Sequence, residues 1–379
     1  MRKIFYSVLF LIALHSSPIL AQEFIEREIT FRTDDTLTLY GTLTLPVTPL
    51  KGSRKPPIVI FVHGSGPQTR DEATVVIRYD SSFRNTSYDW KKFAIEGLNI
   101  EIGRMAVLKG LLKRDAVSYH DVARYVRYTD TSFVFRDIAH GLAKAGIASL
   151  RFDKRSYTYG KVLLAQGKQA AAAALGSLDD YVRDTRAAIR FVRTLAEVNS
   201  GSIFLLGHSE GASGIIQLAA IQERERGIRG LILLAPSAVG IDSTIRQQLR
   251  GSYYFLQIDT LLRDIRLNTP NSDGIWVLNA SGTYWKSWMR ITDSVAEFTE
   301  RTHVPILMIH GTLDITINSG NSTQLSRKIL TRSPKRSVTL RIINGLDHYL
   351  RLPWETVVDS RVQNEMARWI ATKSKNSPQ

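Results

Sequence analysis

The chain has 379 residues, 44% of them hydrophobic and 22% charged, which excludes a disordered or collagen-like protein. It contains no cysteine, so thiol nucleophiles, disulfide staples, iron–sulfur clusters and cysteine-held zinc are excluded as well. Fifty Lys and Arg against 35 Asp and Glu give a formal charge of +15, but no nucleic-acid-binding motif accompanies it.

The first element in chain order is a leader. Arg2 and Lys3 precede an uncharged, mostly apolar run from Ile4 to Leu14. That run is well short of the ~20 residues a membrane-spanning helix needs. Pro18 and small Ala21 follow, so residues 1–21 read as a secretory signal peptide. Residues 22–379 then form the secreted or periplasmic domain.

Ile29 and Phe31, then Leu37, Leu39, Leu43 and Leu45, alternate with polar residues around Thr33-Asp34-Asp35-Thr36, which predicts a β-hairpin. Pro57 to Val62 is a continuous apolar run stopped by His63-Gly64-Ser65-Gly66-Pro67, the pattern of a strand buried on both faces. A first insertion, about residues 71–131, is mixed in charge and holds a helix-like stretch from Ile100 to Leu112. Ile138 to Ala145 has helical spacing, Ile147 to Phe152 reads as a strand, and Tyr181, Ala187, Ala188, Phe191 and Val192 mark an amphipathic helix.

Strand Ile203–Leu206 runs into Gly207-His208-Ser209-Glu210-Gly211, and a helix is expected from about Ala212 to Gln222. Leu231–Ala235, Pro305–Ile309 and Val338–Ile343 repeat the buried-strand pattern, and a last helix covers Val362 to Thr372. A second insertion, about residues 240–301, holds three of the six tryptophans, Trp276, Trp285 and Trp288, with Tyr253, Tyr254, Phe255 and Tyr284. Strands alternating with helices predict an α/β protein whose central sheet is mostly parallel. Ligands in open α/β sheets bind at the carboxyl ends of the strands, so both insertions are candidate lids. Their aromatics either form the lid's own core or line an acyl pocket. Trp285 and Trp288 are the candidate substrate contacts.

Gly-x-Ser-x-Gly alone is a weak signal; its context makes it strong. A nucleophile elbow needs a strand, a turn too tight for bulky side chains and a helix straight after it, and residues 203–222 supply all three. Ser209 is then the nucleophile, and the amide of Glu210 is one oxyanion donor. A serine hydroxyl needs a base. Of eight histidines, His348 alone completes the order Ser…Asp…His behind a strand, with His310 a distant second. Asp314, directly after strand Pro305–Ile309, is the orienting acid; Asp347 is too close to its neighbour His348 to take that part. The second oxyanion donor is assigned to the amide of Ser65, with Gly66 as the alternative, and His63 is read as structural.

These residues resemble the α/β-hydrolase superfamily in its serine-hydrolase branch, with secreted bacterial esterases and the serine aminopeptidase-like and dienelactone hydrolase-like members. The matching segments are His63-Gly64-Ser65-Gly66-Pro67, Asp153-Lys154-Arg155, Gly207–Gly211, Gly311-Thr312-Leu313-Asp314 and Asp347-His348. The resemblance implies an α/β-hydrolase fold: a mostly parallel central sheet flanked by helices, here with an N-terminal β-hairpin and two lid-like insertions. It also implies attack on an ester, thioester or amide carbonyl through an acyl-enzyme, with no metal and no organic cofactor. Ser156-Tyr157-Thr158-Tyr159 departs from the glycine usual after Asp-Lys-Arg, so that loop should differ.

The leading expectation is a secreted carboxylic ester hydrolase acting on a small-molecule ester. A peptidase, aminopeptidase or thioesterase is the first alternative, and a catalytically silent binding protein on the same fold is the second. Arg327, Lys328, Arg332, Lys335, Arg336 and Arg341 lie in a stretch without acidic residues. They read as a solvated face with, at most, weak attraction to anionic surfaces.

Overall fold

The computed structural model describes residues 23–79, 126–249, 255–278, 280–353 and 355–375. The expected signal peptide, the stretch from Ile100 to Leu112, Tyr253 and Tyr254 lie outside the described residues. The N-terminal hairpin is present: β1 (Phe24–Arg32) pairs antiparallel with β2 (Thr38–Pro46) around the polar turn, where Thr33 N donates to Leu37 O at 2.9 Å. β3 (Ile58–Val62) follows. β4 (Ala73–Tyr79) and β5 (Val126–Phe133) then pair antiparallel in a ribbon of their own, from which the rest of the first insertion departs.

Next come α1 (Val134–Lys144), β6 (Ala148–Phe152), α2 (Arg155–Ala165), α3 (Lys168–Leu175), α4 (Leu178–Arg193) and β7 (Ile203–His208). The helix starting at Arg155 is what Ser156–Tyr159 form in place of a glycine loop. α5 (Ile216–Gln222) and β8 (Ile228–Leu234) follow. The second insertion folds as α6 (Ile241–Leu249), α7 (Phe255–Arg266), the short strands β9 (Trp276–Val277) and β10 (Ala280–Ser281), α8 (Gly282–Asp293) and α9 (Val295–Arg301). β11 (Ile306–Gly311), α10 (Gly320–Arg332), β12 (Val338–Ile343) and α11 (Ser360–Lys375) complete the chain.

Eight strands form one sheet in the order β1-β2-β6-β3-β7-β8-β11-β12, antiparallel through β6 and parallel from there on. Both faces are covered, which explains why the strands read as unbroken apolar runs. Ile203 and Leu205 of β7 pack with α4 and the second insertion, while Phe204 and Leu206 face α1 and α11. Ile306 and Met308 of β11, against Leu307 and Ile309, divide in the same way.

One expected element is broken. The helix expected from about Ala212 begins as a π-type turn, Gly211–Ile215, and becomes α-helical only at Ile216. Gly214 takes φ +124°, and a Cβ there would overlap Ile291 Cγ2 of α8. The turn is opened where the second insertion presses on it.

Candidate active site

Five segments meet at the carboxyl ends of β3, β6, β7, β11 and β12. Ser209 follows β7 with φ +52°, a left-handed conformation that a non-glycine residue holds only when its surroundings over-determine it. Its N–H donates to Leu234 O at 2.9 Å, fastening the turn to β8. A Cβ at Gly207 would lie 2.5 Å from the backbone of Gly211, and one at Gly211 would overlap Val62 O. Only glycine allows this close crossing, and it leaves the Ser209 side chain at the sheet edge.

β11 and β12 deliver the other two expected residues together. His348 Nδ1 lies 2.7 Å from Asp314 Oδ2. A carboxylate only accepts, so Nδ1 carries the proton and Nε2 is left with its lone pair. His310 sits on the other side of the same carboxylate, its Nε2 2.9 Å from Asp314 Oδ2 and 2.8 Å from Ile317 O, with Ser322 Oγ 2.7 Å from Nδ1. Fully buried and committed to those partners, His310 serves Asp314 rather than substituting for His348. Burial alone would raise the Asp314 carboxyl. The facing His348 and the hydrogen bonds from both histidines outweigh it and hold the group well below the usual carboxylate range. Asp347 instead organises its own loop, accepting from Tyr349 N and Arg351 N and pairing with the Arg351 guanidinium.

The loop after β3 runs beside the elbow, since a Cβ on Gly64 would lie 3.4 Å from Ser209 Cβ. Ser65 is exposed at its tip. Gly64 N donates to Glu72 Oε1 at 2.9 Å, and Gly64 O accepts from Lys154 Nζ at 2.8 Å. Lys154 Nζ also reaches Glu210 Oε1 at 2.6 Å, while the Tyr284 hydroxyl of α8 donates to Glu210 Oε2. His63 is buried between Phe135 and Phe152, and burial pushes its pKa down to about 4.

The sequence reading gave no role to Glu72, Lys154 or His208. His208 Nδ1 lies 2.8 Å from Glu72 Oε1 and its Nε2 2.9 Å from the carbonyl of His348. Both partners accept, and an imidazole donates from both nitrogens only as the imidazolium. Burial would lower the His208 pKa, but the Glu72 charge and hydrogen bond outweigh it and raise it; Glu72 is lowered in turn. The ion pair ties the β3 loop, the elbow and the His348 backbone to one point. Asp-Lys-Arg at the end of a buried strand, three charges at a sheet edge, was the one available signal for Lys154.

Trp285 and Trp288 flank Tyr284, with ring centroids at 5.9 and 5.5 Å from it. They are buried to 2% and 7% exposure, stack on each other at 5.3 Å, and Trp285 Nε1 donates to Val277 O at 3.0 Å. Their rings pack within the second insertion, next to Tyr284, whose hydroxyl reaches Glu210. Among the described residues no group of three or more His, Asp or Glu is arranged to hold a metal ion.

A family model, Hydrolase_4, described as serine aminopeptidase S33, matches residues 122–352. Esterase EstD of Thermotoga maritima is 23% identical over 366 residues, covering 92% of this chain and 68% of EstD. Among solved structures, Est1E from Butyrivibrio proteoclasticus with ferulic acid bound aligns at TM-score 0.50 and 16% identity, covering 92% of this chain and 100% of that one. An acylaminoacyl peptidase from Pyrococcus horikoshii aligns at TM-score 0.54 and 13% identity over 94% of this chain but 43% of its own. The structural likenesses carry the fold alone. With the family model spanning more than half of its length, the chain belongs to the serine aminopeptidase S33 family of hydrolases and has the α/β-hydrolase fold.

Proposed function

We propose that the protein is a secreted carboxylic ester hydrolase that works through an acyl-enzyme, with Ser209 as nucleophile, His348 as base and Asp314 as the orienting acid. The observation that carries this reading is the 2.7 Å contact between His348 Nδ1 and Asp314 Oδ2, which leaves Nε2 able to accept a proton. Ser209 Oγ attacks the acyl carbon, its proton passes to His348 Nε2, and the amides of Ser65 and Glu210 receive the developing oxyanion. The proton then moves to the departing alcohol oxygen, and water, deprotonated by the same imidazole, releases the acid. The transfer needs Ser209 Oγ within hydrogen-bond reach of His348 Nε2, a contact that tightens in the substrate complex.

Esters are favoured over peptides by the acidic residues beside the elbow. An aminopeptidase needs a carboxylate for the substrate's ammonium. Glu72 and Glu210 are both buried and already paired, with His208 and with Lys154. The name of EstD agrees with an ester substrate. Secretion rests on the leader-like residues 1–21 and is tested by N-terminal sequencing of the protein recovered outside the cytoplasm.

A fluorophosphonate probe, followed by peptide mapping and a substrate panel, tests the chemistry. The expected result is labelling at Ser209 and turnover of acyl esters well above aminoacyl amides. Faster turnover of the amides would move the protein to the peptidases, and absence of labelling would remove Ser209 as nucleophile.

A further inference from the structure

Both polar groups of Gly64 are held by buried charged side chains. Its N–H goes to Glu72 and its C=O to Lys154. Backbone geometry converts the second contact into a direction. The described chain has no cis peptide bond, so in the Gly64–Ser65 unit the C=O and the Ser65 N–H point opposite ways. Holding Gly64 O against Lys154 turns the Ser65 N–H away from Lys154, and holding Gly64 N fixes the other end of the residue. The unit cannot flip without abandoning a charged partner.

The same ammonium also holds Glu210, the residue after Ser209. Lys154 is 4% exposed, the Glu210 side chain is fully buried, and Lys154 Nζ sits 4.3 Å over the Tyr181 ring. A buried ion pair adds little net stability over apolar residues of like volume, so stability alone does not account for this one. Its position does: Lys154 joins Glu210 to the Gly64–Ser65 peptide unit, and the amides of Ser65 and Glu210 are the two assigned to the oxyanion. Tyr284, on α8 of the second insertion, anchors the far oxygen of Glu210.

We propose that Lys154 is a positioning residue for the oxyanion hole, aiming the Ser65 amide through the Gly64 carbonyl, with Glu210 and Tyr284 as its outer anchors. The proposal rests on the serine-hydrolase reading of Ser209 and reaches beyond it. It makes a segment that contributes no triad residue, α8, part of what holds the transition-state oxygen. A residue of this kind acts on the transition state more than on the bound ester, so its loss should fall on kcat and spare KM.

The test uses the full chain, with Lys154→Met, which keeps the length and removes the charge, and Tyr284→Phe, which removes only the hydroxyl. For Lys154→Met the expected result is a kcat lower by about 10²-fold, approaching the loss of a whole oxyanion donor, with KM within about threefold. Affinity for a boronic acid that forms a tetrahedral adduct on Ser209 should fall in parallel with kcat. Tyr284→Phe should show the same pattern at roughly tenfold. A folded Lys154→Met with wild-type kcat and boronate affinity overturns the proposal and leaves Lys154 as packing. If Lys154→Met does not fold, Glu210→Gln decides by the same two measurements. Wild-type labelling by the fluorophosphonate separates the two failures: an unlabelled wild type defeats the reading of Ser209, whereas a labelled wild type beside an unaffected variant defeats only this inference.

Discussion

Ser209 holds a left-handed backbone at φ +52°, and such a conformation costs a non-glycine residue about 1–3 kcal/mol. Ser209→Gly should therefore be more stable than Ser209→Ala by about 1 kcal/mol. Both variants should lose about 10⁴–10⁶ in kcat. Urea unfolding of the two variants beside the wild type checks the first claim, and ester turnover checks the second. Equal midpoints for Gly and Ala would mean that the turn is not strained. The proposed triad of Ser209, Asp314 and His348 was legible in the sequence because each residue follows an apolar strand within a few residues, in the chain order Ser…Asp…His. Glu72, Lys154 and His208 were not. Each takes its role from a partner on another segment, Gly64, Glu210 or the His348 carbonyl, and no local pattern announces such a contact.

The element with most influence on the site is α8. It packs on α4 and on the π-type turn after the elbow, and it buries Tyr284, Trp285, Trp288, Met289 and Ile291. Its aromatic content was legible, but whether those rings faced a ligand or each other was not, since helical spacing is the same in either case. The stacked rings and the Trp285 hydrogen bond give both tryptophans a packing role. Trp285→Ala should then lower stability by about 3–5 kcal/mol. The ratio of long-chain to acetyl ester turnover should stay as it is in the wild type. A changed ratio at an unchanged melting temperature would return Trp285 to the acyl pocket. The kink at Gly214 was hidden for a related reason, because it answers to Ile291 far along the chain. Gly214→Ala meets both a positive φ and that side chain, and overpacking of this kind costs typically 1–3 kcal/mol. Its melting temperature should fall, and kcat with it, since the turn carries the carbonyl of Ser209 on Ser213 Oγ.

At the scale of the whole molecule the buried charges set a pH window for folding, with limbs of opposite sign. Burial holds the His63 pKa down at about 4, so the unfolded chain binds the extra proton first and stability falls as pH drops through the usual histidine range. Lower still, the depressed carboxylates add to the loss. Glu26, held at about 2 by its hydrogen bond with His140 and the charge of Arg151, and Asp314, held well below the usual carboxylate range, favour the fold only while ionised. His208 acts in the other direction. Its raised pKa means the folded chain keeps a proton that the unfolded chain has released, so stability falls as pH rises through that value. A plot of melting temperature against pH should be a dome. His208→Asn cannot titrate, so it should lose the part of the alkaline slope that lies above the usual histidine range while keeping the acid limb. His63→Gln should do the reverse, flattening the descent that begins between about pH 6.5 and 4. Scanning calorimetry of the three proteins across buffers of equal ionic strength makes the comparison. If the alkaline slope survives in His208→Asn, the imidazolium between Glu72 and the His348 carbonyl is not a proton the fold depends on. The three-way tie at the centre of the site would then have to be neutral.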